Sequence, residues 1–478
     1  MVAEYQAPHL YIDGEWLAAD GRASQPVLNP ATGERIGALP LATRADLDCA
    51  LNAAQRGFRT WRKVSPYERA KVLKRAAALI RERTDRIATL MTLEEGKILA
   101  EAKAEILATA DFFEWFAEEG RRSYGRLIPG RAEGSRQLVV KEPVGPVAAF
   151  SPWNFPAVTP ARKVAAALAA GCSCIVKPAE ETPATFLAIA RALEEAGLPK
   201  GVLNVVYGVP SEVSSYIIAS PVIRKISFTG SAVVGKQLAK LAAEGVKRAT
   251  MELGGHAPVI VFDDVDPEAV APLAVAAKFR NAGQVCTSPT RFYVHERVHD
   301  RFVERFTELA AALPVGDGLD PASKMGPLAN LRRIDAMEDF IGDARRCGAR
   351  VRTGGERIGN AGFFWQPTVL SDVPNDAKIM NVEPFGPVAA MLRFRDFDEV
   401  VEQANRLPYG LAAYAFTGSA KTATAIAEAL ESGLVGVNTF AVTVPETPFG
   451  GVKESGYGLE GGIEGLEAYL QTKFVHQM

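Results

Sequence analysis

Four short apolar segments determine the fold that this sequence encodes: GPVAAF at 145–150, CSCIVKP at 172–178, VLNVVYG at 202–208 and KISFTG at 225–230. Helix-like stretches such as ARKVAAALAAG (161–171) and PATFLAIARALEEAG (183–197) separate them. This alternation predicts βαβ units, in which helices cover both faces of a parallel sheet. Ligands of such sheets lie beyond the carboxyl ends of the strands, so the loops after these segments are the expected place for chemistry.

The second half of the chain repeats this alternation. After MELGGHAPVIVFDDVD (251–266) come the strand-like TRFYVHE (290–296), the helical DRFVERFTELAAAL (300–313) and two further apolar runs, GPVAAMLRF and AAYAFTG. Since 478 residues exceed what one hydrophobic core usually organises, we expect two α/β domains that meet just past Gly255. The cleft between them is the expected active site.

Two segments interrupt the α/β rhythm. YGRLIPGRAEGSRQLVVKEP (124–143) has a hairpin-like pattern, and AYLQTKFV near the C-terminus is suited to pair with another chain. We therefore divide the chain into a first domain (1–123 and 144–255), a second domain (256–453) and a small β oligomerisation element (124–143 and 454–478). A homodimer or homotetramer is the expected assembly.

Composition favours small-molecule chemistry over binding to large anionic partners. Hydrophobic residues make up 48% and charged residues 23% of the chain, and the formal net charge of -2 gives no electrostatic reason to bind nucleic acid or an anionic membrane. The first residues, MVAEYQAPHL, lack the basic and apolar regions of a secretory signal, and no apolar run has the length of a bilayer span. We therefore expect a cytoplasmic protein with a small-molecule substrate.

The cysteines indicate reactivity rather than disulfides or metal binding. Their spacing fits neither a disulfide framework nor a zinc site, so no metal is expected; they are Cys49, Cys172, Cys174, Cys286 and Cys347. Cys286 stands apart because it lies in FRNAGQVCTSPTR, where Gly283 and polar neighbours indicate a tight loop before a strand. Most cysteines are small buried hydrophobes, and the alternative for Cys286 is a nucleophilic thiolate.

Two other residues would suit a cysteine nucleophile. Glu252, in MELGGHAP, is either an ion-paired or helix-capping carboxylate or the base that activates water to hydrolyse a thioester. Asn154, in SPWNFP directly after the first strand, is either a turn residue or, with the Cys286 backbone N–H, a donor to the oxyanion that forms when a thiolate adds to a carbonyl. Their combination with Cys286 favours the catalytic interpretation of each.

Glycine and charged residues at the strand ends suggest a dinucleotide. Lys177 and Glu180, in VKPAEETP, are either a surface charge pair or residues that hold adenosine ribose hydroxyls. In FTGSAVVG, Gly230, Ser231 and Gly235 would present backbone N–H groups at a helix N-terminus to a pyrophosphate. The segment lacks the G-x-G-x-x-G fingerprint, so by itself it predicts no standard dinucleotide fold.

A further loop, EPFGP, places Glu383 and Phe385 together, and a plain structural turn is an equal alternative. Seven motifs, in their order and spacing, closely resemble the aldehyde dehydrogenase superfamily over nearly the whole chain: SPWNFP, VKPAEETP, FTGSAVVG, MELGGHAP, GQVCTS, EPFGP and PFGGVKESGYG. The resemblance implies a first domain that binds NAD(P), a second, catalytic α/β domain and oxidation of an aldehyde to its carboxylic acid.

The resemblance also assigns residues. It implies Cys286 as nucleophile, Glu252 as general base, Asn154 as oxyanion donor and Lys163 as a supporter of the proton path. For the cofactor it implies three groups: Lys177 and Glu180 on the adenosine ribose; Trp153, Gly230 and Ser231 around the diphosphate; Glu383 and Phe385 around the nicotinamide ribose.

Two arginines point to the substrate. Arg162 and Arg280 are either solvated surface residues or a pair that resembles the carboxylate clamp of succinate-semialdehyde and 2-oxoglutarate-semialdehyde dehydrogenases. Thr443 is a possible hydroxyl partner in the loop before PFGG, and Phe449 is placed with the substrate residues. We expect an aldehyde acid of four or five carbons. Ser288 stands where several such enzymes carry a second cysteine, so a disulfide switch there is not expected.

Glu180 should repel a 2′-phosphate and so favours NAD, with NADP also possible. Three alternatives remain open: a dehydrogenase for an uncharged aliphatic or betaine aldehyde, a catalytically silent binding protein on the same scaffold, and a CoA-acylating enzyme. The presence of both Cys286 and Glu252 argues against the second, and Glu252 argues against the third.

Overall fold

The computed structural model describes residues 5–478. The strands in this range are β1 (Leu10–Ile12), β2 (Glu15–Leu17), β3 (Ser24–Leu28), β4 (Arg35–Pro40), β5 (Arg126–Pro129), β6 (Arg136–Pro143), β7 (Val147–Phe150), β8 (Cys174–Lys177), β9 (Leu203–Val205), β10 (Lys225–Thr229), β11 (Arg248–Glu252), β12 (Ala257–Val261), β13 (Pro289–His295), β14 (Arg350–Thr353), β15 (Thr368–Ser371), β16 (Val388–Phe394), β17 (Tyr409–Gly410), β18 (Ala412–Phe416), β19 (Leu434–Val437), β20 (Val452–Lys453), β21 (Gly456–Tyr457) and β22 (Leu470–Gln477).

The α-helices of the same residues are α1 (Arg44–Trp61), α2 (Pro66–Glu82), α3 (Thr84–Glu95), α4 (Leu99–Glu119), α5 (Val158–Ala170), α6 (Pro183–Glu195), α7 (Pro210–Ala219), α8 (Ala232–Glu244), α9 (Pro267–Phe279), α10 (Glu296–Ala311), α11 (Leu331–Arg346), α12 (Lys378–Asn381), α13 (Phe397–Asn405), α14 (Ala420–Ala429) and α15 (Gly462–Glu467). Short 3₁₀ turns lie at Gly120–Arg122 and Arg280–Gly283. No helix within residues 5–478 has both the length and the apolarity to cross a bilayer.

The first large sheet has the strand order β2-β1-β9-β8-β7-β10-β11-β21. Its five central strands, β9, β8, β7, β10 and β11, run parallel. Strands β7 and β8 are fully buried, as their mostly apolar sequences predict. From β7 the chain moves to β8 and β9 on one side and then returns to β10 on the other side. The crevice between β7 and β10 is therefore a topological switch point, where open α/β sheets bind ligands.

The second sheet has the order β14-β15-β16-β13-β12-β18-β19 and is parallel except for β14. The chain passes from the first sheet to the second between Glu252, the last residue of β11, and Ala257, the first of β12. Each sheet has its own hydrophobic core. These two helix-covered sheets confirm the predicted α/β fold class.

A three-stranded antiparallel sheet, ordered β22-β6-β5, stands apart from the two large ones. The C-terminal strand β22 pairs along its length with β6 of the same chain, from Leu470 opposite Pro143 to Gln477 opposite Arg136. Its other edge has no strand partner within the described residues, and Phe474 on it is 60% exposed. Pairing of this edge with another chain stays a prediction.

Residues 454–478 do not all belong to the small sheet, which corrects their assignment from the sequence to one oligomerisation element. Only β22 joins the small sheet, whereas β21 pairs with β11 at the edge of the first large sheet. Gly456 makes this approach possible: its φ is 125°, and a Cβ there would lie 1.8 Å from the carbonyl oxygen of Met251. The segment between the two strands consequently packs on the first domain.

Candidate active site

A cavity of about 620 Å³ is lined by loops from both large sheets. Most of the residues singled out in the sequence line it: Trp153, Asn154, Arg162, Gly230, Ser231, Glu252, Arg280, Cys286, Glu383, Phe385, Thr443 and Phe449. Four do not, namely Lys163, Lys177, Glu180 and Gly235. The structure thus gathers into one site side chains that are up to about three hundred residues apart in sequence.

The loop that carries Cys286 has an unusual backbone. Asn281, Ala282 and Gly283 have φ values of 48°, 51° and 71°, all in the left-handed region. A Cβ on Gly283 would lie 2.1 Å from the carbonyl oxygen of Gly386, so only glycine fits there. For the two other residues this conformation costs roughly 1–2 kcal/mol each. The Glu101 carboxylate helps to hold it by accepting the Asn281 N–H at 3.0 Å.

Cys286 is partly exposed to the cavity. Burial raises the pKa of its thiol to about 12, and the Glu383 and Glu252 carboxylates also raise it, whereas Arg162 and Arg280 oppose the shift. At neutral pH the thiol is therefore protonated. Its use as a nucleophile requires a base and nearby positive charge.

Glu252 ends β11 and is 2% exposed. Neither of its carboxylate oxygens has a hydrogen-bond partner among the described residues. Burial raises the pKa of Glu252 well above its usual range, and the Glu460 carboxylate adds to the shift, while Lys163 and Arg162 counteract it. A buried carboxyl group without a fixed partner at a cavity wall is well placed to exchange a proton.

Lys163 lies behind the cavity wall rather than in the lining. Its fully buried ammonium donates hydrogen bonds to Thr229 Oγ1 at 2.7 Å, to Ser227 Oγ at 3.3 Å and to the Glu460 carboxylate. Thr229 and Glu460 themselves line the cavity. Lys163 therefore contacts the site through these two residues.

Sequence reasoning missed Glu460. It lies in YGLEGG, inside the range assigned to oligomerisation, and is only 4% exposed. The one available signal was an isolated acidic residue in a glycine-rich segment. Its partner Lys163 is 297 residues earlier in the chain, so only the fold brings the two together.

Asn154 connects the two loops of the site. Its side-chain Nδ2 donates to the carbonyl oxygen of Gln284 at 2.9 Å, two residues before Cys286. Its own carbonyl oxygen accepts from Lys97 Nζ at 2.7 Å and from Asn281 Nδ2 at 2.9 Å. The side-chain amide of Asn154 is consequently fixed against the Cys286 loop.

Another part of the cavity wall combines an aromatic pair with a carboxylate. The rings of Trp153 and Phe385 meet edge to face at 5.5 Å. Burial raises the pKa of Glu383 to about 7, although Glu383 Oε1 accepts the Gly255 N–H at 3.3 Å. A Cβ on Gly254 would come within 2.4 Å of the other oxygen, so this carboxylate needs a glycine beside it.

The start of α8 corrects one detail of the expected anion site. Ser231 caps the helix, and the unbonded first-turn N–H groups belong to Ala232 and Val233, which line the cavity. Gly235 lies inside the helix: its N–H donates to the Ser231 carbonyl at 2.9 Å, so it does not face a pyrophosphate. A Cβ there would lie 2.3 Å from Leu253, which makes Gly235 a packing glycine.

Lys177 and Glu180 lie at the carboxyl end of β8 and form a buried ion pair at 2.5 Å. Glu180 also accepts the Gly208 N–H at 3.4 Å. Burial rules out the surface charge pair that was one interpretation of the sequence. The pair follows the strand next to β7, on one side of the switch-point crevice.

Arg162 is a buried guanidinium between two aromatic rings, 4.2 Å from the centroid of Phe449 and 4.9 Å from that of Phe112. Its Nε has no hydrogen-bond partner in the part of the chain that the structure describes. We call these three residues the arginine pocket. Arg280, more exposed, lines the same cavity with its guanidinium 5.4 Å from the Phe155 ring. Within residues 5–478 neither arginine forms an ion pair with a carboxylate.

A family model described as "Aldehyde dehydrogenase family" matches residues 16–475. The chain belongs to this family. The resemblance seen in the sequence motifs is therefore confirmed, and an aldehyde dehydrogenase is an oxidoreductase that acts on an aldehyde with a nicotinamide cofactor.

Individual relatives differ in their named substrates. A 4-(hydroxymethyl)benzenesulfonate dehydrogenase of Comamonas testosteroni is 52% identical over 472 residues, covering 99% of this chain and 98% of the relative. The NADP(+) succinate-semialdehyde dehydrogenase of Escherichia coli (strain K12) is 45% identical over 97% of this chain and 96% of its own. The crystal structure of a succinate-semialdehyde dehydrogenase from Burkholderia pseudomallei is similar with a TM-score of 0.96 and 45% identity, covering 98% of each chain.

Proposed function

We propose that this aldehyde dehydrogenase oxidises aldehydes that carry an anionic group away from the carbonyl, through a thioester on Cys286. The observation that supports this substrate class is Arg162, a buried cation that lines the cavity without a carboxylate partner in the described residues. An unpaired buried charge is costly, and an anionic substrate supplies the missing acceptor with charge-assisted hydrogen bonds.

In the proposed reaction the Cys286 thiol first releases its proton to water in the cavity, and the resulting thiolate adds to the carbonyl carbon, forming a C–S bond and an alkoxide. The second N–H of the Asn154 amide and the Cys286 backbone N–H stabilise that oxyanion. A bound nicotinamide cofactor supplies the acceptor for the hydride that leaves the carbon as the carbonyl re-forms. Cys286 then holds the acyl group as a thioester.

Glu252 releases the product. Its carboxylate takes a proton from water, the resulting hydroxide adds to the thioester carbon, and the C–S bond breaks to give the acid and the Cys286 thiolate. The water proton then has to leave a buried site. The hydrogen-bonded group of Lys163, Thr229 and Glu460 next to Glu252 offers a path for it.

The residues present suit a nicotinamide cofactor. The first turn of α8 offers N–H groups for a diphosphate, and the buried Glu383 carboxylate beside Gly254 is positioned for ribose hydroxyls. We assign Lys177 and Glu180 to the adenosine ribose. Because a 2′-phosphate would face the Glu180 carboxylate, we propose NAD as the preferred cofactor, unlike the relative named for NADP(+).

Two substrate types fit the arginine pocket. Our first candidate is an aldehyde acid of four or five carbons, such as succinate semialdehyde or 2-oxoglutarate semialdehyde, and the relatives named for succinate semialdehyde support this class. The second is an aromatic aldehyde with a sulfonate, supported by the relative named for a benzenesulfonate and by the two rings beside Arg162. Both place an anion on a guanidinium.

Formation of reduced cofactor with a panel of aldehydes tests the proposal. The panel holds succinate, glutarate and 2-oxoglutarate semialdehydes, 4-formylbenzenesulfonate, the uncharged pentanal and benzaldehyde, and the cationic betaine aldehyde, each with NAD and NADP. We expect kcat/KM to be highest for a carboxylated or sulfonated aldehyde. Equal or higher kcat/KM for the uncharged members would overturn the substrate class and leave the thioester mechanism intact.

A further inference from the structure

Lys97 lies directly before α4 and is 1% exposed. Its Nζ donates to Glu105 Oε2 at 2.6 Å and to the Asn154 carbonyl oxygen at 2.7 Å, and it lies 4.1 Å from the centroid of the Phe155 ring. All of these groups line the cavity. Burying a lysine costs free energy because its charge loses hydration. Its contacts with the loop at 152–157 therefore indicate that Lys97 has a role there.

Glu105 holds the other end of the same loop. While its Oε2 pairs with Lys97, its Oε1 accepts the N–H groups of Ala157 at 2.9 Å and Val158 at 3.2 Å, where α5 begins. The ion pair between Lys97 and Glu105 therefore fixes the main chain on both sides of Phe155 and Pro156. The Asn154 carbonyl is bound from one side by Lys97 and from the other by Asn281 of the Cys286 loop.

This arrangement determines where the Asn154 side chain points. Nδ2 uses one hydrogen for the Gln284 carbonyl at 2.9 Å, which leaves the second for the cavity. An oxyanion donor has to be placed within a fraction of an ångström to be effective, and a loop held only by its ends would not ensure that.

We propose that Lys97 is a positioning residue for aldehyde oxidation, which fixes the main chain of Asn154 so that its amide meets the oxyanion. The inference rests on the proposed role of Asn154 as oxyanion donor. Lys97 acts through Asn154 and does not touch the reacting atoms, so its effect disappears when the Asn154 amide is absent.

A double-mutant cycle tests this dependence. We expect Lys97→Met to lower kcat by about ten- to a hundredfold, less than the loss of a whole oxyanion donor, with the KM for the aldehyde within about threefold of wild type. In an Asn154→Ala background the same substitution should have no further effect. The rate at which iodoacetamide alkylates Cys286, followed on the Cys286 peptide, should be unchanged because that reaction forms no oxyanion.

Lys247→Met is the matched control. Lys247 also donates to main-chain carbonyl oxygens, those of Ser220 and Ile223, but it lies outside the cavity lining, and its replacement should keep the wild-type kcat. Glu105→Gln is the second variant if Lys97→Met fails to fold. It keeps the acceptor for Ala157 and weakens the ion pair, so it should give a smaller loss that is again absent beside Asn154→Ala.

The possible results separate the two proposals. Wild-type kcat in Asn154→Ala would overturn the role of Asn154 itself. The positioning role would be overturned if Asn154→Ala lowers kcat strongly and the Lys97 or Glu105 substitution lowers kcat by the same factor with and without it. Asn154 would then keep its role as oxyanion donor. A fall in Cys286 alkylation equal to the fall in kcat would also overturn it, because the whole loop would then be disturbed.

Discussion

The reaction centre and the arginine pocket each contain a buried ionisable side chain that forms no hydrogen bond to a group of opposite charge within the described residues. At the reaction centre the Glu252 carboxyl group is buried beside Cys286 with no hydrogen-bond partner in the described residues. In the arginine pocket it is the Arg162 guanidinium that is buried between Phe112 and Phe449. The contrast shows two uses of an unsatisfied group: a carboxyl without a fixed partner is free to exchange protons, and a cation without one is ready for an anionic ligand.

The largest effect should come from the nucleophile. Cys286→Ala removes the only sulfur that lines the cavity in the described residues, so we expect kcat to fall by at least about ten-thousandfold. Binding of NAD, measured by calorimetry, should stay within about threefold of wild type. Residual turnover near the wild-type rate would mean that the reaction does not pass through a thioester.

Replacement of the unpartnered carboxyl should separate the two halves of the reaction. In Glu252→Gln the thioester forms but is hydrolysed slowly, since an amide cannot take the proton from water, and we expect kcat to fall by roughly a hundred- to a ten-thousandfold. Mass spectrometry of the stopped reaction should show the acyl group on Cys286. Rapid turnover without accumulated acyl enzyme would assign the base to another residue.

The two regions are coupled through charge. Activity needs the deprotonated forms of Cys286 and Glu252, and burial raises the pKa of both, that of Cys286 to about 12, so kcat/KM should still be increasing with pH well above neutral. Arg162 lowers both pKa values, so Arg162→Met should move the rise to higher pH. Pentanal is the suitable substrate because it has no anionic group for Arg162 to bind. The pH profile then reports only the effect of Arg162 on the two pKa values. An unshifted profile would limit Arg162 to substrate binding.

The smallest effect concerns the cofactor. Glu180→Ser removes the carboxylate that would face a 2′-phosphate and leaves Lys177 without its ion-pair partner. We expect the ratio of kcat/KM for NADP to that for NAD to rise by roughly tenfold. Glu181→Ser, at the neighbouring and more exposed carboxylate, is the control and should leave the ratio unchanged. No change in Glu180→Ser would remove Glu180 from the cofactor site.

The sequence predicted the elements that have a recognisable local pattern of apolar residues or a short motif. The apolar runs of β7, β8 and β10 and the helices between them gave the parallel sheet, and short motifs after these strands gave Asn154 and Ser231. The family and the fold class are confirmed, whereas the roles of the site residues stay predictions. Gly235 was misread because a glycine that packs a helix looks in sequence like one that approaches a phosphate.

Other parts depend on contacts that no local pattern encodes. Glu460 reaches Lys163 across 297 residues, and the boundary at 454 was wrong because β21 returns to the first sheet. Lys97 and Glu105 belong to an ordinary charged segment before and within α4, where their spacing predicts only a solvated helix face. Their burial follows from the packing of α4 against α5, which is a property of the whole fold.

The most direct test of the central claim compares two matched substrates in wild type and Arg162→Met. Succinate semialdehyde and its methyl ester differ little in size and shape and chiefly in the charge of the far end. We expect Arg162→Met to lower kcat/KM for the acid by roughly thirty- to a hundredfold more than for the ester, as expected for a lost charge-assisted contact. The loss with the ester measures the effect of Arg162 on the pKa values of Cys286 and Glu252 alone. Equal losses for both substrates would contradict the account and make Arg162 a structural residue of the cavity wall.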